Sequence, residues 1–401
     1  MIWWALKNRG VRPIGLDIGH SSIKMIQLAT DGEQISVFAA DETRIDPAIN
    51  GDEHQRKEFV ISAIKRMLAK GNFHGRNVVS CLSSGELKIT SVRLAEGETD
   101  GIEQALRREV VQRFGLDPDR DVMDYVVAGS VRQGDEIKNE LILFAADNET
   151  IKEHVEMLEQ AGLKPMAIDT IPSALFRTFE RSLRRQEDRE RTLVFVDVGS
   201  RFTTVVFGRG GKISFVKEIP IGGDRFNQEV AAKFGISASE AQMLRETLRV
   251  EQGLSMPESS SKAQSVVGSG QKIDASTRQV MVDAVSAIVE DLAREISLCL
   301  RYYTVTFRGK RVERAVLAGA GAYEDILLGV LQRQMTVEVE VAQPLRGFDL
   351  SRERTNLNLE SDGRGLFCEW AVVVGLGLRG WSGAKTPRRQ VRYEMRDARK
   401  S

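Results

Sequence analysis

Three short apolar-rich runs lie between polar positions near the start of the chain, residues 14–17, 23–28 and 35–40, and the pattern predicts three β-strands. The first two are joined by the polar turn Gly19-His20-Ser21-Ser22, so the chain enters its first domain as a meander. From 53 to 70 the apolar residues Phe59, Ile61, Ala63, Ile64, Met67 and Leu68 follow helical spacing, and Gly71 supplies the stop. Strand patterning returns at 78–82. A small α+β unit then follows, with strands at 88–94, 123–128 and 140–146, a helix at 101–114 ending at Gly115, and a second helix running from a cap at Asn148 to 161.

Residues 168–185 predict a connecting helix, and the charge-dense stretch 184–191 a solvated break. The opening pattern then repeats. Residues 193–197 and 203–207 flank a polar turn, 212–219 forms a third strand, and Asp17 and Asp197 each close an apolar strand as Asp-x-Gly. The chain is expected to be internally duplicated at the level of fold. Residues 255–272, rich in Ser and Gly, read as a mobile loop, 278–305 as a long helix, and 382–401, with seven basic and two acidic residues, as a disordered basic tail.

Composition adds bounds. The 401 residues suffice for two or three domain-sized cores, and 42% hydrophobic with 28% charged is the balance of an ordinary globular protein. Lys+Arg and Asp+Glu are both 57, so no global field draws nucleic acid, and none is expected as a partner. Cys81, Cys299 and Cys368 sit in apolar surroundings and read as buried thiols. The four histidines show no metal-ligand spacing. No run approaches the roughly 20 apolar residues that cross a bilayer. The Trp3-Trp4 start, followed by Lys7, Arg9 and Arg12, reads either as a tip capping its own domain or as a contact with a membrane interface.

The chemistry concentrates in the turns. A triphosphate needs donors that approach closely, and Gly- and Ser-rich turns offer N–H groups and hydroxyls without bulk. Gly19 to Ser22 and Gly199, Ser200, Arg201 and Thr203 form two such turns. Either alone reads as an ordinary turn; two with matching flanks, facing each other across a cleft, would grip phosphates from both sides. Asp17 and Asp197, at the strand ends, are the candidate metal residues, placed to hold the waters of Mg²⁺, and Lys24 would meet phosphate or pair with a carboxylate. Gly222-Gly223 precedes a helix expected to be capped by Asp224, and reads equally as a plain strand-to-helix turn. Residues 315–322 form a buried strand running into Gly319-Ala320-Gly321-Ala322, where an adenosine would lie against the backbone before a helix from Tyr323. A dinucleotide turn looks similar, but here the third spaced glycine and the following βαβ unit are missing.

Read in order, Gly15 to Lys24, Phe195 to Gly199, Ile219 to Asp224 and Leu317 to Gly321 resemble the phosphate 1, phosphate 2, glycine-turn and adenosine motifs of actin-like ATPases. More narrowly, residues 107–116 with Tyr125, 159–169 and 292–303 are similar to the PilM branch of type IV pilus assembly proteins within the FtsA/PilM group. The resemblance implies an α/β, actin-like (ribonuclease H-like) duplicated fold with two lobes around a nucleotide cleft. It divides the chain into a first-lobe core (1–85, 165–191 and 366–381), an inserted α+β subdomain (86–164), a second-lobe core (192–236 and 306–365), a helical and mobile-loop subdomain (237–305) and the tail. It also implies ATP or ADP with Mg²⁺, and Glu240 and Arg245 as nucleoside contacts. Arg245 stands where Lys is usual.

As partners it implies a PilN-like bitopic membrane protein, docked through its cytoplasmic N-terminal peptide in a groove beside the insert. Pilus motor or platform proteins and a homo-oligomer join these expectations. The protein would be cytoplasmic, recruited to the inner face of the cytoplasmic membrane. Two departures lead to an expectation of weak or absent ATP turnover: Ile171-Pro172-Ser173 stands where actin places a water-positioning polar side chain, and Ser200 replaces an acid in the second turn. The alternatives are a filament-forming, membrane-associated FtsA-like protein, or an actin-fold small-molecule kinase, for which the sequence offers no extra substrate base.

Overall fold

A computed structural model of the chain describes residues 10–32, 34–95, 101–133, 135–180, 191–253, 274–307, 311–335, 337–350 and 367–380. The Trp3-Trp4 start, nearly all of the charged break, the loop at 255–272 and the basic tail lie outside the described residues.

In chain order the first part runs β1 (Val11–Ile18), β2 (Ser22–Asp31), β3 (Gln34–Arg44), α1 (Glu53–Lys70), β4 (Asn77–Cys81), β5 (Lys88–Ala95), α2 (Ile102–Phe114), β6 (Val122–Gln133), β7 (Glu136–Ala146), α3 (Asn148–Gln160), β8 (Lys164–Asp169) and α4 (Ile171–Glu180). The second part runs β9 (Thr192–Val198), β10 (Thr203–Arg209), β11 (Lys212–Ile219), α5 (Gly223–Phe234), α6 (Ala238–Gly253), α7 (Ala275–Thr306), β12 (Val312–Ala318), α8 (Asp325–Gln334), β13 (Glu338–Val341) and α9 (Ala371–Gly377).

The duplication is a topological fact. One sheet has the order β3-β2-β1-β4-β8, the other β11-β10-β9-β12-β13. In each, a three-stranded antiparallel meander is extended by two strands parallel to the first. The central strands read as apolar runs because both faces are covered. On β2, Ile23 and Met25 pack toward Val60, Ile64 and Met67 of α1, while Ile26 and Leu28 meet Trp370, Val373 and Val374 at the start of α9. A third sheet, β5-β7-β6, interrupts the first lobe between β4 and β8 and carries α2 on one face through Val92, Leu106, Val110, Leu141 and Leu143.

Helices α4 and α9 cross where the lobes join. A Cβ at Gly375 would run into the Ala174 carbonyl oxygen, and one at Gly15 would lie 2.6 Å from that of Val373, so only glycine permits this approach. The crossing is tied by Arg177 Nη1 donating to Gly375 O at 2.7 Å and Thr178 Oγ1 to Ala371 O at 2.6 Å. Phe179 of α4 stacks on Phe195 of β9, carrying the first lobe into the second lobe's core.

Three expectations need correction. The segment read as one helix from 168 begins as strand β8, which pairs with β4 before the chain turns into α4; Lys164, Pro165 and Met166 carried no alternation to reveal it. The cap of α3 is Asp147, whose carboxylate accepts from Glu149 N, with Asn148 inside the first turn. The helix placed at Tyr323 starts at Asp325, because residues 320–323 tighten into a 3₁₀ turn. Cys81, Cys299 and Cys368 are buried free thiols, as their surroundings indicated.

Candidate functional site

The two hairpins close with the same hydrogen bond. Gly19 N donates to Ser22 O at 2.9 Å, and Gly199 N donates to Phe202 O at 3.0 Å. A Cβ would stand 3.0 Å from the first carbonyl oxygen and 3.2 Å from the second, which favours glycine in both turns. Asp17 and Asp197 occupy equivalent places, each in the last turnward residues of the first meander strand.

The glycine pair folds back over the second hairpin. Gly223 N donates to Gly199 O at 2.9 Å and Asp224 N to Ser200 O at 2.8 Å, while Ser200 Oγ donates to Asp224 Oδ1 at 2.8 Å. Gly222 is the residue at the cap of α5, and Asp224 lies in the first turn with its carboxylate turned to Ser200 and to the other lobe. Asp224 is therefore not the helix cap. Thr203 is buried, its hydroxyl given to Ile221 O at 2.7 Å, so it braces the turn from beneath.

Across the gap, His20 Nε2 lies 3.4 Å from Asp224 Oδ2, and Arg44 Nη1 at the end of β3 lies 2.7 Å from Glu246 Oε2 on α6. Arg201 is exposed beside this mouth, where it and Arg56 lower the His20 pKa; burial lowers it most, and Asp224 opposes them. The first hairpin is held from α1 and the turn before it: Arg56 Nη2 donates to Gly19 O at 2.8 Å and Asn50 Nδ2 to His20 O at 3.2 Å. Ser21 contributes its carbonyl to Ile45 N at 2.9 Å.

Lys24 is buried and reaches Ser22 Oγ at 2.5 Å and Glu42 Oε1 at 3.1 Å. Burial alone would lower its pKa, but Glu42, Glu369 and Asp17 together raise it, so the ammonium stays charged. Burial raises the Asp17 carboxyl, with Lys24 pulling it back and Glu42 adding to the rise. Asp197 is pushed up to about 7, by burial first and then by the Asp17 carboxylate. Two buried carboxyls at strand ends, one resisting ionisation through its burial and then through the other's charge, form a floor that a divalent cation would relieve. Among the described residues no group of three or more His, Cys, Asp or Glu could hold a metal. Mg²⁺ tolerates one or two carboxylates when phosphate and water complete its shell, and this pair fits that requirement.

The third turn leans on the second hairpin's strand. Gly319 has φ +82°, and a Cβ there would lie 2.5 Å from Val198 O and 2.6 Å from Asp197 Oδ1; one at Gly321 would strike the Val198 side chain. These glycines let the turn approach β9. Ala322 is buried, its N–H donating to Gly319 O at 3.1 Å, and the Tyr323 hydroxyl donates to Glu369.

Glu240 and Arg245 have defined structural work. Glu240 Oε2 accepts from Ser237 N and Ser237 Oγ, each at 2.8 Å, while Glu240 N donates to Ser237 Oγ at 3.2 Å, a reciprocal cap at the start of α6. Arg245 is buried, donates to Gly223 O at 3.0 Å and to Asn227 Oδ1, pairs with Glu324, and lies over the Phe226 ring. Sequence reading missed Glu42, Arg56, Glu369 and Tyr323. Only Glu42 had a usable signal, since a β2–β3 meander in this register sets it opposite Lys24.

A family model described as type IV pilus assembly protein PilM matches residues 15–256 and 271–381. The chain belongs to this family. Among solved structures, the PilM-PilN type IV pilus biogenesis complex superposes with a TM-score of 0.71 at 21% identity, covering 92% of this chain and 98% of that one. The ethanolamine utilization protein EutJ from Carboxydothermus hydrogenoformans gives 0.50 at 14% identity, covering 92% and 89%. The cell division protein FtsA of Escherichia coli K12 is 22% identical over 353 residues, 84% of this chain and 76% of that protein. The fold of this PilM-family chain is actin-like. No described helix is long and apolar enough to cross a membrane.

Proposed function

We propose that this PilM-family protein is an ATP-binding scaffold of the pilus inner-membrane platform that docks a PilN-like membrane protein through its cytoplasmic segment. The observation that carries the nucleotide part is the paired hairpin closure at Gly19 and Gly199, with Asp17 and Asp197 at matching strand ends. Backbone N–H groups of both turns and the hydroxyls of the first would hold phosphate oxygens, Lys24 would supply positive charge, and Asp17 and Asp197 would orient the hydrated Mg²⁺ that neutralises the phosphates. The four-subdomain division given above accompanies this reading, with the nucleoside between the second-lobe core and the helical subdomain. The partner part is supported by family membership and by the complex named for its structural relative.

Turnover is proposed to be weak or absent. Attack on a γ-phosphate needs an oriented water. Ser173 Oγ accepts from Thr170 Oγ1 at 2.8 Å and Ser200 Oγ donates to Asp224 Oδ1 at 2.8 Å, so both hydroxyls are engaged within the protein, and neither position carries the carboxylate or amide that would orient the water strongly. The test is calorimetric titration with Mg·ATP, with and without a PilN-like N-terminal peptide, while phosphate release is followed. Binding coupled to the peptide with negligible release supports the scaffold; fast release, or no nucleotide binding, rejects it.

A further inference from the structure

Among the described residues β5 is an edge strand of the inserted sheet, and beside it lies a pocket of about 460 Å³. It is bordered by residues 91–94 of β5, Arg113 of α2, Glu140 of β7 and Tyr302 of α7, so insert and second lobe both contribute. We propose that this edge docks an extended segment of a partner protein carrying a lysine or arginine flanked by apolar residues.

An edge strand offers a row of backbone groups to an incoming strand, and side-chain pockets beside it supply selectivity. The charge preference comes from Glu140. Its side chain is 1% exposed, Oε2 accepts from Arg93 Nε at 2.7 Å, and Oε1 has no hydrogen-bond partner among the described residues. The other cations at the pocket are committed: Arg93 also donates to Tyr302 OH at 3.0 Å, while Arg113 pairs with Glu109 and donates to Thr90 Oγ1 at 2.9 Å. The unmet demand is thus that of a buried carboxylate, and a cationic side chain meets it. The apolar preference comes from α7, where Leu298, Tyr302 and Val305 form one helix face and are 40%, 40% and 71% exposed. This surface stands independently of the nucleotide cleft.

The test uses the full chain and a labelled peptide of alternating valine and threonine with a central lysine, read by fluorescence anisotropy. The lysine probe is expected to bind at least about tenfold more tightly than its glutamate-centred version. Glu140→Gln should erase that preference in a chain that circular dichroism shows to be folded, and Val305→Asp, at a position too exposed to unfold the chain, should weaken the lysine probe about tenfold. Equal binding of both probes, or affinity unmoved by Val305→Asp, overturns the proposal. So does tenfold tighter binding by a chain ending at Gly380, which would make the C-terminal segment the occupant, or self-association abolished by Val305→Asp, which would make it a second copy.

Discussion

His20 and Asp224 face each other from opposite lobes, the imidazole Nε2 3.4 Å from Oδ2. The pair ties the tip of the first phosphate-type hairpin to the first turn of α5. The His20 pKa lies below its ordinary value through burial and the two nearby arginines, against the pull of Asp224. In the window just below pH 6.5 the unfolded chain therefore binds more protons here than the folded one, and stability falls as pH drops through that value. His20→Gln should flatten the decline of the melting midpoint between about pH 7 and 5. Part of the slope should persist, because His154, buried and lowered in the same sense, still contributes. An unchanged slope in His20→Gln would remove His20 from the acid sensitivity.

Asp197 makes the opposite kind of statement. Its folded pKa of about 7 stands above the ordinary carboxylate value, so the folded state binds more protons and stability falls as pH rises from about 4 to 7. Asp197→Asn should remove that fall. If Asp197 serves Mg²⁺, the carboxyl must ionise on binding, and titration with Mg·ATP near pH 6.5 should release a substantial fraction of a proton, measured by repeating calorimetry in buffers of different ionisation enthalpy. Asp197→Asn should abolish the release, and wild-type binding without release would separate Asp197 from the metal.

Gly319 and Gly235 both have positive φ, but only Gly319 is crowded. Gly235→Ala meets open space and should cost about 1 kcal/mol from backbone conformation alone. Gly319→Ala adds a collision with the Val198 backbone carbonyl, which cannot retreat without moving β9, and with the Asp197 carboxylate, and should cost about 3 kcal/mol or more. Urea unfolding of the two variants checks the order; equal losses would show that the turn is free to shift.

The contrast explains what the sequence disclosed. Hairpins and glycine turns were legible because backbone groups do the work there, and a backbone turn imposes residue types at fixed local spacing. Asp17, Gly19, Asp197 and Gly199 follow from that logic, as does the meander repeated in both halves. Partners distant in sequence were not legible. Glu369 approaches Lys24 only because α9 returns to the first lobe after the second is complete, and no local spacing encodes that return. Glu240 shows the converse: Ser237-x-x-Glu240 is a capping box at the foot of a helix, a local signal that stands beside the nucleoside contact implied by resemblance.

Arg245 supplies the last test, because its buried pairing with Glu324 joins α6 to the turn before α8. Truncating the arginine would leave the Glu324 carboxylate buried with its ion-pair partner gone, so Arg245→Ala should destabilise by about 3–5 kcal/mol. Replacing both partners with apolar residues of similar size removes the charge as well as the attraction. Arg245→Met with Glu324→Leu should therefore recover most of the loss, and a double-mutant cycle of denaturant unfolding would measure the recovery. If that doubly substituted chain refolds to near wild-type stability yet loses Mg·ATP affinity at least tenfold, Arg245 also contacts the nucleoside; retained affinity would confine it to bracing α5, through Gly223 and Asn227, against α6.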